Sequence, residues 1–109
     1  MDDPAQLAAL FKILSVETRL RIVRLLQSHP LCVNGLARRL NITPAAVSQH
    51  LRVLRHAGLV QSERRGYFMH YRINAAALAR CGEQLQSLLS PPPLRRELLE
   101  RYIPNQERK

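Results

Sequence analysis

The stretch from Thr43 to Gly58 constrains this chain more than any other, because it carries a start signal, a stop signal and two unlike faces. Thr43 is a good helix N-cap, and Pro44 suits the first helical position, where a helix leaves the backbone N–H unpaired anyway. The spacing predicts a helix to about Ala57, closed by Gly58, the residue that most readily takes a left-handed C-terminal conformation. At 100° per residue, Val47, Leu51 and Leu54 fall in one narrow sector, and Ala45, Ser48, Gln49 and Arg52 lie almost opposite. A helix so divided lays one side on a core and presents the other. Just before it, Val33, Leu36, Ala37 and Leu40 share one face of a short helix, with Arg38 and Arg39 across from them. Asn41-Ile42-Thr43 joins the two helices tightly. That is the pattern of a helix-turn-helix.

The flanks complete the expected order. Leu7, Leu10, Phe11 and Leu14 recur at helical spacing in a first helix from about Pro4 to Leu14. Ser15 is placed to cap a second helix, whose Leu20, Ile22, Val23, Leu25 and Leu26 cover most of its circumference and mark it as central. That helix ends near Ser28-His29-Pro30. After Gly58 the period changes to two. Tyr67, Met69, Tyr71 and Ile73 alternate with Phe68, His70 and Arg72, which reads as a strand paired with Leu59 to Glu63. Arg64-Arg65-Gly66 is the expected hairpin tip. Asn74 caps a fifth helix bearing Leu78, Cys81, Leu85 and Leu88 on one stripe, and Pro91-Pro92-Pro93 ends it. Leu94, Leu98 and Tyr102 then fall in register on a short tail helix, with Glu97 and Arg101 at i,i+4. The expected fold is mainly α (α+β): four helices, a two-stranded wing, a fifth helix and a tail. Residues 1–90 form a DNA-binding and dimerisation domain on this reading, and 91–109 a proline-initiated tail.

Charge points to the partner. The formal net charge is +9, and no carboxylate occurs between Glu17 and Glu63, where Arg19, Arg21, Arg24, Arg38, Arg39, Arg52 and Arg55 all fall. Guanidinium groups fork onto phosphates and guanines, so on charge alone a polyanion such as double-stranded DNA fits this field best, ahead of a membrane surface, an acidic protein or a merely basic soluble surface. On the exposed sector of the fourth helix, Gln can bond adenine, Arg can bond guanine, Ser can donate or accept, and Ala45 can touch a thymine methyl. Thr43 and the first-turn N–H groups can hold a phosphate, and Arg64 and Arg65 suit a second phosphate ridge or the minor groove. His50 flanks this face, either as a contact or as a plain surface histidine. A solvated polar face is the plainer reading of Ser48, Gln49 and Arg52, outweighed by the capped turn before them and the basic hairpin after. A winged-helix module that binds proteins is the alternative, which an apolar or acidic reading face would favour. The four histidines have no carboxylate at a catalytic spacing and no phosphate loop occurs, so an enzyme is not expected. The start Met1-Asp2-Asp3-Pro4 has no apolar h-region and no run is long enough to span a membrane, so a cytoplasmic protein without membrane contact is expected.

Two runs resemble the ArsR-type (ArsR/SmtB-like) family of small winged-helix repressors. They are Leu10-Phe11-Lys12-Ile13-Leu14-Ser15-Val16-Glu17-Thr18-Arg19-Leu20-Arg21-Ile22-Val23 and, most specific, Ala46-Val47-Ser48-Gln49-His50-Leu51-Arg52-Val53-Leu54-Arg55-His56-Ala57-Gly58-Leu59-Val60. Leu36-Ala37-Arg38-Arg39-Leu40 and His70-Tyr71-Arg72-Ile73 extend the likeness, which covers Ala5 to about Leu89. It implies a homodimer formed through the first and fifth helices, placing Leu7, Leu10, Phe11, Leu14, Leu78, Cys81, Leu85 and Leu88 at the interface. It also implies an inverted-repeat operator, with Ser48, Gln49, His50 and Arg52 reading bases and Arg64 and Arg65 contacting DNA from the wing. Family members are typically released by a metal ion, a metalloid or a redox signal.

The departures concern that signal. Metal-sensing relatives often carry Cys-Val-Cys-Asp where this chain has Cys32-Val33-Asn34-Gly35, and between Asn74 and Ser90 it has neither Asp nor His. A trivalent arsenic site wants three thiolates and a structural zinc four ligands, which two cysteines do not supply. No cofactor and no metal site are therefore expected. Cys32, expected at a helix N-cap, is either a sensing thiol favoured by the helix dipole or a small hydrophobe between Leu31 and Val33. Cys81 reads most simply as packing on its stripe. A small-molecule, metalloid or redox effector stays open.

Overall fold

A computed structural model describes residues 3–91. The helices are α1 (Pro4–Leu14), α2 (Glu17–Ser28), α3 (Val33–Leu40), α4 (Pro44–His56) and α5 (Ala75–Leu89). Three strands, β1 (Leu31–Cys32), β2 (Val60–Arg65) and β3 (Phe68–Ile73), form an antiparallel sheet in the order β1-β3-β2. The expected order of helices and wing is found, with one strand more. β1 is two residues long, pairing Leu31 with Tyr71 and Cys32 with His70. Two residues are too few to show a period of two, so the sequence pattern hides it. The tail expected over Leu94–Ile103, with its Leu94, Leu98 and Tyr102 stripe, lies outside the described residues.

The core is aliphatic. Ile22 and Leu26 of α2, Leu36 and Ala37 of α3, Val47, Leu51 and Leu54 of α4, and Leu31, Leu59 and Val60 of the sheet side form one buried cluster. α2 lies at its centre through Ile22 and Leu26, although its circumference is not fully covered: Leu20 remains exposed. Val16, not Ser15, precedes its first turn, and no side chain caps it. Ser15 instead closes α1, its hydroxyl donating to the Lys12 carbonyl at 2.8 Å.

Backbone chemistry fixes how α3 meets α4. Asn41 ends α3 in the left-handed conformation (φ 56°), with its N–H donating to the Ala37 carbonyl, so the chain reverses within three residues. Thr43 then caps α4, its Oγ1 accepting from the Ala46 N–H at 3.1 Å, and Pro44 occupies the first turn. At the far end Gly58 has φ +80°, the conformation expected of it. Asn74 caps α5 by accepting from the Ala77 N–H at 3.2 Å, while its amide nitrogen donates to the Gly58 carbonyl at 3.0 Å. One side chain thus ties the start of α5 to the end of α4.

The wing turns one step later than the sequence suggested. Arg64 and Arg65 lie within β2, paired with Met69 and Phe68, and the two-residue loop is Gly66-Tyr67. Gly66 has φ +63° and Tyr67 does not, the arrangement of a II′ hairpin with glycine at its first central position.

Candidate nucleic-acid interface

α4 is divided as its spacing requires. Val47, Leu51 and Leu54 are buried, whereas Ala45, Ser48, Gln49 and Arg52 are all exposed, together with the cap Thr43. The buried sector locks the helix onto α2 and α3, so the exposed sector is held rigidly by the core behind it. Arg52 meets no carboxylate among the described residues, and Arg55, one turn on, donates only to the Ser62 hydroxyl of β2 at 3.3 Å.

His50 is the member of this set that turns inward. It is half-buried, and its Nδ1 accepts from Arg19 Nε of α2 at 3.2 Å, while Arg19 Nη1 donates to the Ile13 carbonyl of α1 at 3.1 Å. Desolvation, and then the Arg19 charge, hold the imidazole below its ordinary pKa. Arg19 therefore links α1, α2 and α4, a role that no local spacing announces.

On the wing, side chains alternate between two faces. Glu63 and Arg65 share the face of His70 and Arg72, and Glu63 clamps both arginines, Arg72 Nε at 2.9 Å and Arg65 Nε at 3.4 Å. Arg64 falls on the opposite face with Ser62 and Tyr71, the face toward α4, and meets no carboxylate among the described residues. Among the described residues the two wing arginines are thus unequal: Arg64 meets no carboxylate, whereas Arg65 shares Glu63 with Arg72. Tyr67 and Phe68 stand out at the tip, Tyr67 97% exposed.

The stripes on α1 and α5 are only partly spent within the chain. Leu7 is buried, and Leu10, Leu14 and Leu78 pack against the core, which leaves Leu7 little surface to offer a partner. Phe11 and Cys81 are half-buried, Leu85 and Leu88 are exposed, and α5 contributes no buried residue at all. Cys32 holds the N-cap of α3, its sulfur accepting from the Gly35 N–H at 3.4 Å. Burial pushes the Cys81 thiol up, which disfavours the thiolate. Among the described residues no three of His, Cys, Asp and Glu gather as a metal site, and no helix is long and apolar enough to cross a membrane.

A capped helix with a polar, cationic outer face, set between a tight turn and a basic hairpin, defines a winged helix-turn-helix. Residues 17–62 match the model of the bacterial regulatory protein, arsR family. The chain is 44% identical over 66 residues to the arsenical resistance operon repressor of Escherichia coli, a match covering 60% of this chain and 56% of that protein. It therefore spans little more than half of that relative's length. It is 32% identical over 68 residues to the transcriptional repressor SdpR of Bacillus subtilis, covering 62% of this chain and 76% of that one. Among solved structures it is similar to a homodimeric winged helix-turn-helix DNA-binding domain of Mycobacterium bovis, with a TM-score of 0.65 and 28% identity over 81% of this chain and 86% of that one. The chain belongs to the ArsR family of bacterial regulatory proteins.

Proposed function

We propose that this chain is a homodimeric, sequence-specific DNA-binding repressor that lays α4 in the major groove of each half of an inverted repeat. The observation that carries this reading is the rigid, uncovered outer face of α4, with Ser48, Gln49 and Arg52 exposed and no carboxylate among them. Gln49 and Arg52 read base edges, Ala45 and Ser48 fit the groove beside them, and Thr43 with the first-turn N–H groups holds a phosphate. Arg64 and Arg65 supply wing contacts, Arg64 the stronger because Glu63 does not compete for it. His50 braces the helix through Arg19 and supports the reading face from its flank. Residues 1–90 carry both binding and pairing, and 91–109 are an appended tail. Pairing uses the apolar remainder of α1 and α5, in keeping with the homodimeric relative and with the exposed Leu85 and Leu88.

Gel-shift titration against duplexes selected from a random pool tests this. The parent should favour near-palindromes with half-sites about one helical turn, roughly 34–36 Å, apart. Gln49→Ala and Arg52→Ala should each lose about 1–3 kcal/mol of discrimination at one base position. A parent without affinity for any duplex at low salt would instead be a protein-interaction module, and the proposal would fall.

A further inference from the structure

Next to the reading face, and sharing Ser48 and Arg52 with it, lies a cleft of about 190 Å³ lined further by Leu51 and Arg55 of α4 and by Tyr71 of β3. Leu51 is buried and belongs to the core, so the remaining four side chains supply the polar chemistry. Two of them are guanidiniums and two are hydroxyls. Ser48, Arg52 and Arg55 stand at i, i+4 and i+7, on one side of the helix. Arg55 is steadied by the hydroxyl of Ser62, and Ser62 is the direct cross-strand partner of Tyr71. Arg55 and Tyr71 are therefore anchored to the same rung of the sheet. Glu63, the nearest carboxylate in sequence, faces the other side of that sheet and is already engaged by Arg65 and Arg72. The cleft thus gathers donors and positive charge, and among the described residues no acidic group answers them.

We propose that this cleft is a phosphodiester subsite, in which Arg55 and Tyr71 hold one backbone phosphate of each DNA half-site while Ser48 and Arg52 form its rim. The inference rests on the DNA-binding reading above and adds to it the residues that set how deep and at what angle α4 enters the groove. Three features favour a tetrahedral, doubly liganded anion. Guanidiniums fork onto phosphate oxygens, a phenol donates a single further bond, and the opening adjoins the face that meets the bases. A phosphate held at the junction of helix and wing fixes both elements on the same strand. Arg55 and Tyr71 are then positioning residues, without sequence preference of their own.

The test uses the full chain and a duplex selected from a random pool by the parent. Arg55→Ala should weaken binding about tenfold, as loss of a charge-assisted bond does, and flatten the salt dependence by about 0.9 per half-site. Arg80→Ala removes the same charge from α5 and should do neither. Tyr71→Phe keeps the ring in the core and removes only the hydroxyl, so weaker binding by this variant cannot be ascribed to unfolding. Single methylphosphonate substitutions, scanned along the duplex, should reveal one phosphate per half-site whose neutralisation weakens the parent but not Arg55→Ala. Base preferences should be the same in the parent and all three variants. If Arg55→Ala and Tyr71→Phe bind as the parent does, or stay sensitive to every methylphosphonate, the subsite is wrong while the DNA reading stands. Saturable binding of inorganic phosphate that Arg55→Ala abolishes without changing duplex affinity would make the cleft a site for a free anion and equally overturn it.

Discussion

Glu63 is the one carboxylate in the wing, and replacing it by glutamine separates the two jobs of the wing arginines. In the parent its two oxygens hold Arg72 Nε at 2.9 Å and Arg65 Nε at 3.4 Å. The side chains involved are between 38% and 53% exposed, so each pair is a solvent-screened surface contact worth about 0.2–1 kcal/mol. Glu63→Gln keeps an acceptor oxygen, and its melting temperature should move by only a few degrees at fixed protein concentration. Binding should change much more. One freed guanidinium per protomer that reaches a phosphate steepens the log–log salt slope by about 0.9, and two by about 1.8. Between 50 and 200 mM salt those slopes correspond to an extra loss of affinity of about 3.5-fold or about 12-fold per protomer. At the low end of that range the variant should bind random duplex more tightly than the parent. Because phosphates carry no sequence information, its preference for a selected site over random duplex should fall. Fluorescence anisotropy over a salt series with both duplexes measures all of these at once. A variant whose slope equals the parent's would show that Arg65 and Arg72 do not face DNA, and the placement of the wing would be refuted.

Other outcomes follow from single contacts. Thr43→Ala removes the only side-chain cap of α4 and should cost about 1 kcal/mol, or about 4–8 °C in a thermal melt, with Thr43→Ser restoring most of it. Leu54 is fully buried under α4, and Leu54→Ala should cost about 2–5 kcal/mol in urea unfolding; a loss below 1 kcal/mol would mean the core does not hold this helix. Burial and the neighbouring Arg19 hold His50 below the ordinary histidine range of about 6.5, so the unfolded chain takes up its proton first and stability should fall as pH drops through that range toward the lower folded value. His50→Gln keeps an acceptor for Arg19 and should flatten that part of the pH–stability curve; an unchanged curve would place the titrating group elsewhere.

What was legible in the sequence was local. The caps Thr43 and Asn74, the left-handed Gly58 and the two sectors of α4 each depend on residues within about four positions, and each appears in the structure where its spacing puts it. The errors were local ambiguities of the same kind. Ser15 is as able to close one helix as to open the next, and Arg64-Arg65-Gly66-Tyr67 offers two places to turn. The contacts that give the site its character span the chain: Arg19 to His50 across 31 positions, and Cys32 to His70 across β1 and β3. Arg55 and Tyr71 likewise meet only because β3 returns beside α4. Charge density drew attention to Arg55, and the His70-Tyr71-Arg72-Ile73 likeness to Tyr71, but no local spacing places the two beside one cleft.

Asn74 has a mechanical consequence. Its single planar amide both begins α5 and donates to the carbonyl of Gly58, two residues past the end of α4. A rotation of α5 that preserves both bonds carries the Gly58 carbonyl with it, so the amide acts as a pin between the two helices. The bond spans sixteen positions of sequence, so a load applied to α5 reaches the residues just past α4 through a single side chain.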